Sequence, residues 1–397
     1  MEKKLHYQYV MLQCSFYAMS ACFIGYMVPV LQTQGFNHTQ IGFFLALRAL
    51  FSVIFQPIIA NVMDKFKSVI SFNQLIAVMI IISMMMTGVQ ILNPGFFGMT
   101  FIFMMYGMVT YGMVSFIDAM STLYFYKGQK INYPVARGAG SLSYAISALL
   151  VGLFVAPERI LVTQFFLFFP LLFFILKIDC VKGADATHHE SENQSFSYPA
   201  LLRAFPFFKL FLIAIIFSFI GKELSSSFFI DVYRSLGGNT RDYGLGTFLL
   251  AASEIPAAII FTRLADRLGI YRLMLLSFFF AFLRIFLIML APNLLLLNIA
   301  QMMQMLGNGL FWAGNIQFIR TILPAKDAVK AQAAVGVCYL GIGSGVGSLL
   351  SGVILEATNL TTLLATASFF SLIGFFILLS GQKYERSADS LGQNHSL

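Results

Sequence analysis

Seven ionisable residues lie inside long apolar runs: Arg48, Asp118, Arg137, Lys222, Glu223, Glu254 and Arg284. A charge at the centre of a bilayer costs at least about 2.5–3.5 kcal/mol on insertion scales, so such groups face a cavity or one another. Their signs allow pairing within each half of the chain. Asp118 with Arg137 or Arg48 would serve the first half; Glu254 with Arg284, and Lys222 with Glu223, the second. The chemistry open to such a set is recognition of a polar solute rather than bond making.

The neighbouring residue types suit a ring-shaped cargo. Tyr111 and Asp118 are seven residues apart, as are Arg137 and Tyr144, so each pair shares a helix face. An aromatic ring beside an arginine and a carboxylate suits a sugar. The ring stacks, and the charged groups take several hydroxyls as bidentate hydrogen bonds. Farther along, Asn298, Gln301, Gln304, Asn308 and Asn315 surround the single tryptophan, Trp312. Gln301, Gln304, Asn308 and Asn315 follow helical spacing along one stripe. These amides either line a cavity or hydrogen-bond between helices.

Positioning these groups requires a membrane scaffold. Of 397 residues, 58% are hydrophobic and 11% are charged, with a mean hydropathy of +0.81. Soluble domains carry about 25% charged residues, which excludes that class. At about 20 apolar residues per crossing, the chain accommodates roughly a dozen spans joined by short loops. Apolar runs predict helices near 7–33, 38–62, 69–92, 96–124, 134–156, 160–178, 205–233, 242–262, 271–291, 293–320, 329–355 and 360–381. The expected organisation is an N-terminal six-helix bundle (1–178), a cytoplasmic linker (179–204), a C-terminal six-helix bundle (205–382) and a cytoplasmic tail (383–397).

Eighteen of the 25 lysines and arginines fall on the side of the N-terminus, against three (Arg159, Arg234 and Arg241) in the opposite loops. This bias predicts that both termini are cytoplasmic. The halves repeat one another. Gly42 precedes Asp64 by 22 positions and Gly244 precedes Asp266 by 22, each followed by a cation, Lys65 or Arg267, at an offset of 202. Leu149-Leu150-Val151-Gly152 recurs as Leu349-Leu350-Ser351-Gly352 at an offset of 200. Duplicated bundles of six with a mid-membrane solute site between them are a transporter architecture. Asp64, Lys65, Asp266 and Arg267 are the candidate gating-loop residues.

Other chemistries lack their residues. The four cysteines are too widely spaced for a zinc site or a disulfide framework. His188, His189, Glu190 and Glu192 read as a solvated linker rather than a metal site. All five histidines lie outside the spans or at their rims, and the methionines read as adaptable packing. No nucleophile stands beside a base at an enzyme's spacing. The +8 charge is scattered instead of forming a nucleic-acid-binding patch.

Leu50-Phe51-Ser52-Val53-Ile54-Phe55-Gln56-Pro57, followed by Asp64-Lys65, resembles the second helix and loop of the lactose permease-like branch of the major facilitator superfamily, near the oligosaccharide:proton symporters and nucleoside permeases. The resemblance runs through most of the chain. It implies an all-α membrane protein of twelve transmembrane helices in two pseudo-symmetric six-helix bundles. It places Asp118 at the family's sugar-binding glutamate, Ala136-Arg137 at its essential Ala-Arg, and Tyr144 at its stacking tryptophan. Glu254 takes the place of the second sugar-contacting carboxylate, and Arg284 that of an arginine of the coupling network. Ala60 replaces the first glycine of the loop motif.

The departures rewire the site. Asn298, Gln301 and Gln304 stand where the branch has a lysine, a histidine and a glutamate. Gly347 replaces an eleventh-helix lysine, and Lys222 and Glu223 fall near the seventh-helix acids. Amides do not titrate, so a carboxylate must carry any coupled proton. Asp118, Glu223 and Glu254 with Arg284 are the proton-coupling candidates. Tyr111, Asp118, Arg137, Tyr144, Glu254, Gln301, Gln304, Asn308 and Trp312 are the substrate-binding candidates.

The resulting expectation is a monomeric carrier in a bacterial cytoplasmic (inner) membrane. It would import a neutral polyhydroxylated solute, an oligosaccharide or nucleoside, with a proton by alternating access. Its partners would be solute, proton and lipid bilayer, without metal, cofactor or nucleic acid. The alternative is a uniporter or exporter of an amphipathic or aromatic small molecule.

Overall fold

A computed structural model of the chain describes residues 2–66, 70–129, 131–180, 198–324 and 327–382. The histidine-containing stretch 188–192 and the tail 383–397 lie outside these residues. Among the described residues, nine helices are long and apolar enough to cross a membrane, and three bent helix pairs bring the number to twelve. Large apolar side chains such as Phe97, Phe154 and Leu176 remain exposed, as a surface facing lipid requires.

Local chemistry sets the helix ends. Ser71 accepts from the Gln74 amide while Gln74 returns a bond to the Ser71 backbone, so a reciprocal cap starts Phe72–Ile91. Asn132 caps Tyr133–Phe154 with Pro134 in the first turn, which fixes the entry of the helix carrying Arg137 and Tyr144. Asn293 and Asn359 do the same for Leu294–Met302 and Leu360–Ser380. Gly269, with φ of 78°, makes the tight connection from Thr240–Leu268 to Ile270–Leu290.

Breaks occur where the sequence suggests unbroken runs. The seventh span, expected over 205–233, is helical at Pro206–Ser226 and again at Phe229–Ser235. Ser225 and Ser226 both donate to the Lys222 carbonyl, competing with the helix's own amides at that turn. The tenth loosens to a 3₁₀ turn at Met303–Met305 and resumes at Asn308. A Cβ at Gly307 would lie 3.2 Å from the Ala281 nitrogen, so glycine suits this close crossing. Wider π-type turns occupy Ala21–Gly25, Tyr106–Thr110 and Val337–Gly343. Such turns widen a helix locally and are frequent at functional sites.

The chain forms two compact units. The first comprises Met1–Glu192 with Ile230–Ala252; the second comprises Asn193–Phe229 with Ser253–Leu397. In the first unit, a Cβ on Gly152 would lie 2.8 Å from the Gly244 Cα, and the Tyr26 hydroxyl donates to the Ala148 carbonyl at 2.6 Å. Gln32 donates to Asp231, and Arg234 donates to both. In the second unit, Phe208, Phe211, Met274, Phe278, Phe311 and Phe318 belong to one apolar core.

Candidate functional site

In the first unit the carboxylate of Asp118 accepts a 2.8 Å bond from the Gln13 amide. Gln13 also donates to the Tyr9 hydroxyl, which is anchored on the Ile117 carbonyl. Tyr9 and Gln13 are four residues apart on the first helix and therefore share one face. The Arg137 guanidinium lies over the Tyr17 ring at 4.4 Å and donates to Ser141 at 2.9 Å. The Tyr133 side chain interacts with both Asp118 and Arg137. Gly140 makes room for this platform, since a Cβ there would meet Tyr17 at 2.5 Å.

A second cluster lies at the π-turn of the first helix. Arg48 is buried with its guanidinium 4.9 Å from the Tyr111 ring centre and 5.5 Å from that of Phe23. The two rings pack edge to face at 6.1 Å. The Tyr144 hydroxyl lies 3.3 Å from where a Cβ on Gly25 would stand. Tyr111 thus belongs with Arg48, while Asp118, seven residues on, serves the Gln13 network.

In the second unit Gln304 donates to Glu254 at 2.7 Å. Arg284, itself buried, donates through Nε and Nη2 to the side-chain Oε1 of Gln301 at 3.1 and 2.6 Å. Gln332 donates to Asn315 at 3.2 Å. The predicted amide stripe therefore makes hydrogen bonds between helices at three positions, and Gln301 and Gln304 each hold an interior ion. Asn308 is buried beside the broken turn. Trp312 is partly exposed and packs edge-on against Phe219, Phe311 and Tyr339. Glu223 accepts from Ser344 and Ser348 at 3.3 Å each, and a Cβ on Gly347 would meet its Cβ at 2.6 Å.

Two pairings suggested by charge alone take another form. Asp118 is met directly by Gln13 and Tyr133, neither of them a cation, and Arg137 acts on it without an ion pair. Lys222 and Glu223 are successive residues on one helix and project apart. Lys222 lies 5.6 Å from the Phe219 ring centre, and Glu223 turns to the serines. Asp64 and Lys65 fall in the last turn of His38–Phe66, and Asp266 and Arg267 in that of Thr240–Leu268. Gln13, Tyr17, Tyr133, Ser344 and Ser348 were not evident as site residues. The signals available were the Tyr9–Gln13 and Ser344–Ser348 pairs, each four apart on one helix face. Among the described residues, no three His, Cys, Asp or Glu side chains are grouped to hold a metal ion.

Known proteins share both the sequence pattern and the fold. The model of the MFS_1 like family matches residues 6–365. The maltose permease of Geobacillus stearothermophilus is 27% identical over 181 residues, 46% of either chain. The uncharacterized transporter YwbF of Bacillus subtilis (strain 168) is 24% identical over 190 residues, 47% of either chain. The match thus spans about half the length of these curated relatives. The solved nucleoside transporter NupG superposes with a TM-score of 0.79 at 19% identity, covering 96% of this chain and 99% of its own. A bacterial homologue of the human lysosomal transporter Spinster, inward-facing and unoccupied, gives 0.67 at 12% identity over 98% and 96%. With the family model covering nearly its whole length and the fold of these carriers, the chain belongs to the MFS_1 like family of major facilitator transporters.

Proposed function

We propose that this transporter imports a polyhydroxylated solute, an oligosaccharide or a nucleoside, together with a proton, by alternating access. The observation that carries the reading is the hydrogen bond from the neutral Gln13 amide to the membrane-interior carboxylate of Asp118, with Gln304 donating likewise to Glu254 in the second unit. An amide can give up its place to a cargo hydroxyl or tolerate a proton on the acid. A locked ion pair resists both. Each unit has its own determinant: Asp118, Arg137 and Tyr144 in the first, Glu254 with Gln301, Gln304 and Trp312 in the second. Arg284 links Glu254's surroundings to protonation, with Glu223 as a further proton carrier. The likeness to NupG, a nucleoside transporter, and to a maltose permease supports both solute classes.

The setting is a bacterial cytoplasmic (inner) membrane, with both termini inside and the monomer as the working unit. The two six-helix halves, 1–178 and 205–382, are the bodies that move, with Asp64-Lys65 and Asp266-Arg267 at the gating loops. Cells expressing the protein are screened with sugars and nucleosides for uptake and for alkalinisation of the medium. Uptake with alkalinisation supports symport, and uptake without it assigns a uniporter. Arg137→Ala and Glu254→Gln abolish uptake on this reading; retention of uptake by both variants places the site elsewhere.

A further inference from the structure

Arg48 differs from the other interior ions of the first unit in what surrounds it. It is 7% exposed, within the span His38–Ile59, and its Nε and Nη1 have no hydrogen-bond partner. No carboxylate pairs with it among the described residues. Its neighbours are the faces of Phe23 and Tyr111, which attract a cation but accept no directed N–H bond of normal strength. An arginine cannot shed its proton to relieve this situation. Two π-type turns meet here: Phe23 lies within Ala21–Gly25, and Tyr111 directly follows Tyr106–Thr110. A Cβ on Gly107 would come within 2.4 Å of the Arg48 carbonyl, so the arginine's helix is seated directly on the second turn. Its backbone is thereby fixed while Nε and Nη1 of its guanidinium are left without an acceptor.

The charge balance points the same way. The first unit has Arg48, Arg137 and Asp118 deep in its spans, an excess of one positive charge. The second has Lys222, Glu223, Glu254 and Arg284, which sum to zero. Protonating Asp118 would add to the excess of the first unit. Among the deep ionisable groups of the first unit, one positive charge is therefore left without a carboxylate.

We propose that Arg48, set between Phe23 and Tyr111, is an anion-recognition residue, and that the cargo bears one acidic group, a carboxylate or phosphate, beside its hydroxyls. This rests on the carrier reading above and replaces the expected neutral solute with an acidic sugar or nucleoside derivative. A guanidinium presents parallel N–H donors that match the paired oxygens of either group. The flanking rings hold the plane of the fork so that little freedom is lost on binding.

Purified protein in nanodiscs is titrated with glucose and glucuronate, and separately with uridine and uridine 5′-monophosphate. The acidic member of one pair should bind more tightly than its neutral partner, and the responding pair distinguishes carboxylate from phosphate. In Arg48→Met the acid-to-neutral affinity ratio of that pair should fall by roughly thirtyfold or more, the effect of removing one partner of a buried charge pair. Arg48→Lys should restore part of the ratio. Ligand-free Arg48→Met should melt no lower than the parent protein, because an uncompensated buried cation has been removed. Neutral members binding as tightly as acids in both pairs, with Arg137→Ala still abolishing that binding, overturns this proposal alone. A ratio unchanged by Arg48→Met overturns it too, as does a ligand-free variant that melts well below the parent. If none of the four solutes binds, the sugar-or-nucleoside reading falls with it.

Discussion

Gly140→Ala tests whether the arginine platform is built by packing. The new Cβ would lie 2.5 Å from Tyr17 Cδ2 and 3.1 Å from Cε2, and ordinary contact begins at 3.4 Å. The ring must therefore retreat by about 0.9 Å. Tyr17 is braced edge-on by Phe16 at 5.2 Å and sits under the Arg137 guanidinium at 4.4 Å. A shift of that size takes the ring away from the cation. The interaction is worth about 0.5–2 kcal/mol depending on desolvation, which corresponds to roughly a two- to thirtyfold loss of affinity for the solute. The control is Gly138→Ala on the same helix, where nothing lies within 4 Å of the added carbon. Alanine's better helix propensity should leave that variant neutral or stabler by up to about 1 kcal/mol. Affinity is measured by calorimetric titration, and folding by thermal melting. A double-mutant cycle with Tyr17→Leu completes the test, since both changes act on one contact and their effects must not add. Parental affinity in Gly140→Ala, or strict additivity in the cycle, refutes the reasoning.

Two further changes probe the second unit. At Gly221 an added Cβ would meet the Ala367 carbonyl oxygen at 2.5 Å and the Ser371 nitrogen at 2.8 Å, both backbone atoms. Gly221→Ala should therefore lower stability by about 1–3 kcal/mol, and an unchanged melting temperature in detergent would show that these helices separate freely. Gln304→Leu removes the amide that bonds Glu254 at 2.7 Å. Hydrogen bonds to charged groups are worth about 1.5–3 kcal/mol, so uptake should fall at least about tenfold while Gln304→Glu alters its dependence on external pH; a fully active Gln304→Leu would detach this pair from transport.

The twelve spans were legible because lipid imposes a simple code. Every backbone group must be satisfied within the segment, so crossing helices announce themselves as runs of about 20 apolar residues. The caps were also plain in Ser71, Asn132, Asn293 and Asn359. The breaks were not, because they are decided by competition within a turn. Ser225-Ser226-Ser227 is as compatible with a continuous helix as with an end, until two hydroxyls take the same carbonyl. Gly307 likewise shows its role only against Ala281 on a neighbouring helix. The grouping of Ile230–Ala252 with the first unit depends on Gly152, Gly244 and the polar contacts of Asp231, which no periodicity encodes.

The candidate site shows why charge alone is a poor guide to partners. Counting acids and bases suggests that each interior ion neutralises another. Yet Asp118 is met by Gln13, Glu223 by Ser344 and Ser348, and Arg137 by Ser141 and Tyr17; Glu254 and Arg284 each gain an amide as well. The physical reason lies in what a carrier must do. Direct ion pairs in a medium of low dielectric are strong when intact and costly when opened, so they would resist both a proton and a hydroxyl-bearing cargo. An amide or hydroxyl stabilises the ion enough to keep the helix in the membrane, and it yields at a modest cost when cargo offers equivalent bonds. Those neutral residues carry no conspicuous signature among hundreds of apolar positions, which is why Gln13 and Ser348 were missed while Gln301 and Gln304 stood out by their spacing. Arg48 is the limiting case. It lacks even a neutral hydrogen-bond partner at Nε and Nη1, and on the same logic its acceptor is supplied by the molecule being moved.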